Sequence, residues 1–105
     1  MAKYILFIFV VASYSVMAED YSDKKVGIVR SPDGRPCTLF QLIGVNQADP
    51  AIPEAPWFAI RQNNPGYKEM LSMIMSAKLT YRLVSVSTSG NIACDHADVS
   101  VVHLQ

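Results

Sequence analysis

Charge is scarce in this chain: Asp, Glu, Lys and Arg make up 17% of its 105 residues, and they cancel to a formal net charge of zero. No cluster of Lys and Arg forms a stripe that would follow a phosphate backbone, which argues against a nucleic-acid partner. No polybasic tail offers itself to an anionic membrane surface either. Histidine is scarcer still. The only two, His96 and His103, lie near the C-terminus, and no Gly-x-Ser-x-Gly elbow accompanies them. "CDHAD" crowds Asp95, His96 and Asp98 within one turn, whereas a metal site usually takes three or four well-spaced ligands. That segment reads as a solvated turn, so no metal and no cofactor is expected. Internal repeats and low-complexity segments are missing too. These absences point away from an enzyme.

The apolar runs are short as well. The longest, from Tyr4 to Val11, falls well below the roughly 20 residues of a spanning helix, so no stable membrane insertion is expected. Its setting is that of a secretory signal peptide. Lys3 supplies a positive start, Val16-Met17-Ala18 a small residue at a cleavage site, and Glu19-Asp20 an acidic segment beyond it. Residues 1–18 are therefore expected to be removed and residues 19–105 to form one domain, either secreted or periplasmic. Removal takes Lys3 and leaves eight basic side chains against nine acidic ones.

Cysteine is limited to Cys37 and Cys94. In an oxidising compartment they permit one intramolecular bond, a common staple of small exported domains. Two buried free thiols are the alternative.

Strand and turn signals alternate along the chain. Residues 24–30 read as a first strand, with Val26, Ile28 and Arg30 on one face and Gly27 and Val29 on the other. Pro32-Asp33-Gly34 then makes a tight turn. A second strand at 37–45 completes a hairpin. The loop at 46–56 carries three prolines and cannot sit inside a sheet. A short third strand at 57–61 leads to Asn64 and Pro65, which read as the cap and first position of a helix over 65–79. Tyr67, Met70, Leu71, Ile74 and Ala77 or Lys78 recur at helical spacing, while Lys68, Glu69, Ser72 and Ser76 form a narrow polar side. Met73 and Met75 widen the apolar stripe beyond one buried face. A fourth strand at 81–89 turns at Gly90-Asn91, and a fifth at 98–104 closes the chain. The fold class is thus mainly β with one helix between strands 3 and 4 of five, the element order of the OB-like barrel. A small open α+β sheet shares the same elements.

Two groups of side chains are candidates for contact. Trp57 and Tyr81 carry ring faces on which a sugar stacks, and Ser85 and Ser87 supply hydroxyls nearby in sequence. Trp57 as a barrel plug and the serines as a half-exposed sheet face are the plainer readings. Met70, Met73, Ile74 and Met75 either fill an irregular core or face neighbouring copies, because large apolar patches rarely stay exposed.

The leader, an early cysteine, "PWFAI", "GYKEMLSMIMSAKL", a Val/Ser strand, a second cysteine and a closing "VSVVHL" together resemble a group of small secreted bacterial proteins. That group is similar to the B subunits of pertussis-like and subtilase-type A–B toxins, and the likeness runs from about Lys25 to Leu104. The resemblance implies an oligosaccharide-binding-type barrel, assembly as a pentameric homo-oligomer with helices lining a central pore, and recognition of a host glycan, with a secreted A subunit as possible partner. This chain is shorter than those subunits, and their sugar-contacting residues are not matched onto positions here. The expected function is that of an exported, non-enzymatic binding module for a glycan or partner protein. The alternative is a periplasmic structural or accessory protein with no ligand of its own.

Overall fold

The computed structural model describes residues 18–49 and 55–105. The expected leader, apart from Ala18, and part of the proline loop lie outside the described residues. The elements are β1 (Asp20–Arg30), β2 (Cys37–Leu42), β3 (Trp57–Arg61), α1 (Tyr67–Thr80), β4 (Leu83–Ala93) and β5 (His96–Leu104). The five strands form one sheet in the order β1-β2-β3-β5-β4, and β4 pairs back onto β1 so that the sheet closes into a ring. The β3–β5 pairing is parallel, and the other four are antiparallel. The helix falls between β3 and β4, as its periodicity predicts.

Alternation along β2 and β3 decides what faces inward. Phe40, Leu42, Phe58 and Ile60 join Ile74, Val84, Val86 and Val99 in the main core. The Phe40 and Phe58 rings stack with centroids 5.2 Å apart, and Tyr21 meets Phe58 edge-on at 5.3 Å. The Tyr21 hydroxyl donates to the carbonyls of Gln47 and Ala48 at 2.9 and 3.0 Å, which ties the loop after β2 to β1. Burial of that phenol, with Glu19 and Asp49 nearby, raises its pKa above the ordinary value.

Three local expectations need correction. In β1 the register shifts between Val26 and Val29, so both turn toward the core while Ile28 is left exposed. A bulge adds a residue and reverses the alternation beyond it. At the start of the helix Asn64 ends a turn instead of capping: its Oδ1 accepts from the Gly66 N–H at 2.8 Å, its carbonyl from the Tyr67 N–H, and α1 begins at Tyr67 without a side-chain cap. At the far end Tyr81 is not part of β4. It terminates α1 in the left-handed region (φ 56°), and the N–H of Arg82 also reaches the Ala77 carbonyl. Glycine is the usual occupant of such a position.

The final hairpin also differs from its expectation. β4 continues through Gly90-Asn91, with a register shift between Thr88 and Ile92, and turns only at Cys94-Asp95. Both turn residues have positive φ, 50° and 66°, as a two-residue type I′ loop requires.

The methionine stripe divides between roles. Met70, Ile74 and Ala77 are buried against the sheet, Met73 packs partly against them, and Met75 is 37% exposed. Ile74 is fully buried within this chain, so it is removed from the expected interface, and Met70 largely follows. The Tyr67 hydroxyl also meets the buried Thr38 hydroxyl at 2.7 Å, which satisfies both groups. Among the described residues, no helix is long and apolar enough to cross a membrane.

Candidate functional site: the outer face of the second and third strands

Because Phe58 and Ile60 point inward, Trp57, Ala59 and Arg61 stand on the outer face of β3. Trp57 is half-buried there. The Arg30 guanidinium lies 5.8 Å from the centre of its ring, a cation–π distance. The His96 ring is tilted against it with centroids 6.4 Å apart, because the parallel register sets Ala97 beside Phe58. Trp57 therefore lies outside the main core, packed against a smaller cluster of Cys37, Leu39, Ala59 and Ala93, with Arg30 and His96 beside its ring.

The rest of the face is pinned by polar contacts. Arg61 Nη2 donates to the Ile92 carbonyl at 2.9 Å, and its Nε lies 3.3 Å from Asp98 Oδ1. Asp98 Oδ1 has no aligned hydrogen bond, so that contact is an ion pair only, while Oδ2 accepts from Ser89 Oγ at 2.7 Å. Arg35 Nη1 donates to the Cys94 carbonyl at 2.8 Å and to Asp95 Oδ2 at 3.2 Å, joining the β1–β2 loop to the β4–β5 turn. A cleft of about 520 Å³ opens beside these contacts, lined by Pro36, Cys37, Arg61, Ile92 and Cys94 among others.

Cys37 and Cys94 are disulfide-bonded across 57 residues of chain, as their isolation predicts in an oxidising compartment. Closing a loop of this length stabilises by about 4 kcal/mol in the chain-entropy model.

His96 has its pKa lowered, chiefly by desolvation, with Arg35 and Arg30 adding to the effect and Asp95 opposing it. Its Nδ1 is buried and meets no hydrogen-bond partner among the described residues. The unfolded chain therefore binds the His96 proton more readily than the folded one, and stability rises with pH in this window. The penalty is absent above the unfolded pKa of about 6.5 and grows as pH falls below it. Melting temperatures compared at pH 5 and pH 7.5 should show a smaller acid loss in His96→Gln than in the parent. An equal loss in both would dismiss His96 as its source.

The other residues expected at a binding site do not join Trp57. Ser85 lies eight positions before Ala93 on β4, roughly 26 Å along the strand. Ser85 Oγ accepts from Gln105 Nε2 at 3.1 Å, and Ser87 Oγ donates to Asp20 Oδ1 at 2.6 Å. Tyr81 is 82% exposed and lines a separate cavity of about 210 Å³ with Lys25, Ile43 and Lys78. The residues of this face that sequence reading missed are Arg30, Arg35, Arg61, His96 and Asp98. Arg30 and Arg61 were legible as strand-end residues. The β3–β5 register that brings His96 to Trp57 was not, since a parallel pairing leaves no turn signal. "CDHAD" is not wholly solvated as expected, because His96 and Asp98 are both half-buried. No family model matches the chain, and no curated protein matches it.

Proposed function

We propose that this chain is an exported, non-enzymatic binding module of the toxin B-subunit type, an OB-like barrel that recognises a glycan or partner protein through its Trp57 face. One observation carries the reading: the only tryptophan lies on the outside of β3, flanked by Arg30 and His96 and not enclosed in the main core. In OB-type barrels the face of strands 2 and 3, with the loops joining strands 1–2 and 4–5, is the surface that binds oligosaccharides. Here the strand order, the helix position and the Arg35–Asp95 link between those two loops all favour that comparison. An aromatic ring with nearby donors suits a sugar's mixed apolar and hydroxyl surface.

Export is supported by the Cys37–Cys94 bond together with the expected leader. Self-association, as a ring of five in the family it resembles, is supported by exposed Leu79 and Met75 on the helix and by exposed Ile28 and Ile43 on the neighbouring hairpin. The accessory reading has its own support. Arg35 and Arg61 are engaged in internal contacts, and both Arg30 and His96 already lie against the indole.

A glycan array probed with the labelled, purified protein separates the two. Concentration-dependent capture by at least one glycan class is expected, whereas silence across the array favours the accessory role. Light scattering should return several copies per particle, and a strict monomer would remove the ring.

A further inference from the structure

We propose that the β4–β5 hairpin tip is a disulfide-latched flap closed over the outer face of β2 and β3, released by reduction without loss of the main core. Leu39 and Ala59 carry the argument. Their neighbours Phe40, Phe58 and Ile60 fill the core, so alternation directs Leu39 and Ala59 outward, where solvent is expected. Yet Leu39 is 3% exposed and Ala59 is fully buried. What covers them is the hairpin tip: Ala93 and Cys94 pack with Cys37, Leu39, Ala59 and Trp57 in a cluster separate from the main core.

Apart from the disulfide, the small apolar cluster, the His96–Trp57 contact and polar contacts at exposed sites hold this tip. The polar contacts are the Arg35 bonds to Cys94 O and Asp95, and the Arg61 bond to Ile92 O. The exposed Arg35–Asp95 ion pair contributes little, and the two arginine bonds to backbone carbonyls are solvent-accessible and exchangeable with water, unlike the covalent bond. Cys94 and Asp95 themselves occupy the left-handed region, which non-glycine residues keep only where surrounding structure holds them. The covalent bond is therefore the latch. Both cysteines border the cleft, but Cys94 is half-exposed while Cys37 is buried, so a reductant reaches the Cys94 sulfur first.

The chemistry is ordinary thiol–disulfide exchange. A dithiol's thiolate attacks Cys94 Sγ and forms a mixed disulfide, and Cys37 leaves as a thiolate that takes a proton. The dithiol's second thiol then closes on its own sulfur and releases Cys94. Two electrons pass from the dithiol to the protein bond, giving one cyclic disulfide and two protein thiols. Freed from Cys37, the tip lifts, uncovers Leu39 and Ala59 and widens access to the already half-exposed Trp57. This conclusion is independent of what the face binds.

Dithiothreitol added to the native protein tests it, followed by iodoacetamide counting, far-UV circular dichroism, tryptophan emission and residue-resolved hydrogen exchange. Both thiols should alkylate while circular dichroism and the slow exchange of Phe40, Phe58 and Val84 persist. Exchange at residues 92–96 should accelerate about tenfold or more, and Trp57 emission should shift to the red. The Cys37→Ala/Cys94→Ala variant should show the same fast tip and no further response to dithiothreitol. Three results overturn the flap: core protection lost together with the tip, a tip and indole unchanged after both thiols are alkylated, or a bond that resists dithiothreitol in the native state.

Discussion

Phe58→Ala is expected to lower stability by about 3–5 kcal/mol, among the largest losses from a single side chain of the described core. Phe58 is completely buried, stacked on Phe40 and met edge-on by Tyr21, so its removal opens a cavity bounded by three elements of the closed sheet. Neither neighbour can collapse into the space without giving up its own contacts: Tyr21 is tied through its hydroxyl to the loop after β2, and Phe40 is registered opposite Phe58 in the β2–β3 ladder. In a domain of this size such a loss lowers the melting temperature by roughly 12 °C or more. Thermal denaturation with the disulfide intact measures it. A shift of only a degree or two would mean that the β2–β3 pair does not form the centre of the core.

Ile74→Ala ranks next, with an expected cost of about 2–5 kcal/mol. Ile74 is fully buried midway along α1, between Met70 and Ala77 on the same face, and these side chains seat the helix on the sheet. Met75, one position further on, is the matched control. At 37% exposure it has much less to lose, and Met75→Ala should stay within about 0.5 kcal/mol for the single chain. Denaturant titrations of the two variants distinguish core from surface along a stripe that the sequence leaves ambiguous. Equal losses in both variants would return Met75 to the core.

That ambiguity shows how far the residues can be read unaided. The limits of β3 were legible because Trp57–Arg61 lies between prolines and a turn, and the helix between the third and fourth strands was legible from its period. Isolation of Cys37 and Cys94 in a small chain expected to be exported pointed to their bond. Illegible were features set by cancellation between nearby energies. The β1 bulge exchanges Ile28 for Val29 at the core, and both are β-branched apolar residues that fit either side. Gly90-Asn91 is a stronger turn signal than Cys94-Asp95, yet the chain turns at the latter. There the disulfide and Arg35 hold two non-glycine residues in a left-handed loop. Tertiary contacts outweighed local preference.

The candidate site follows the same division. Trp57 was legible as one of two candidate ring faces, with a barrel plug as its plainer reading. Its partners were not, since Arg30 arrives from β1 and His96 through the parallel pairing of β5. The serines that alternation placed on an exposed face do stand on the outer side of β4, but their hydroxyls serve Asp20 and Gln105 at a distance from the tryptophan.

The central claim is that recognition resides at Trp57, and affinity for an array-selected glycan measured on the parent and on Trp57→Ala tests it most directly. The account predicts a loss of about tenfold to a hundredfold in Trp57→Ala, in line with one stacking contact of roughly 1–3 kcal/mol, while the main core stays folded by circular dichroism. Unchanged affinity in Trp57→Ala, with binding abolished instead by Ser85→Ala/Ser87→Ala or Tyr81→Ala, would contradict it.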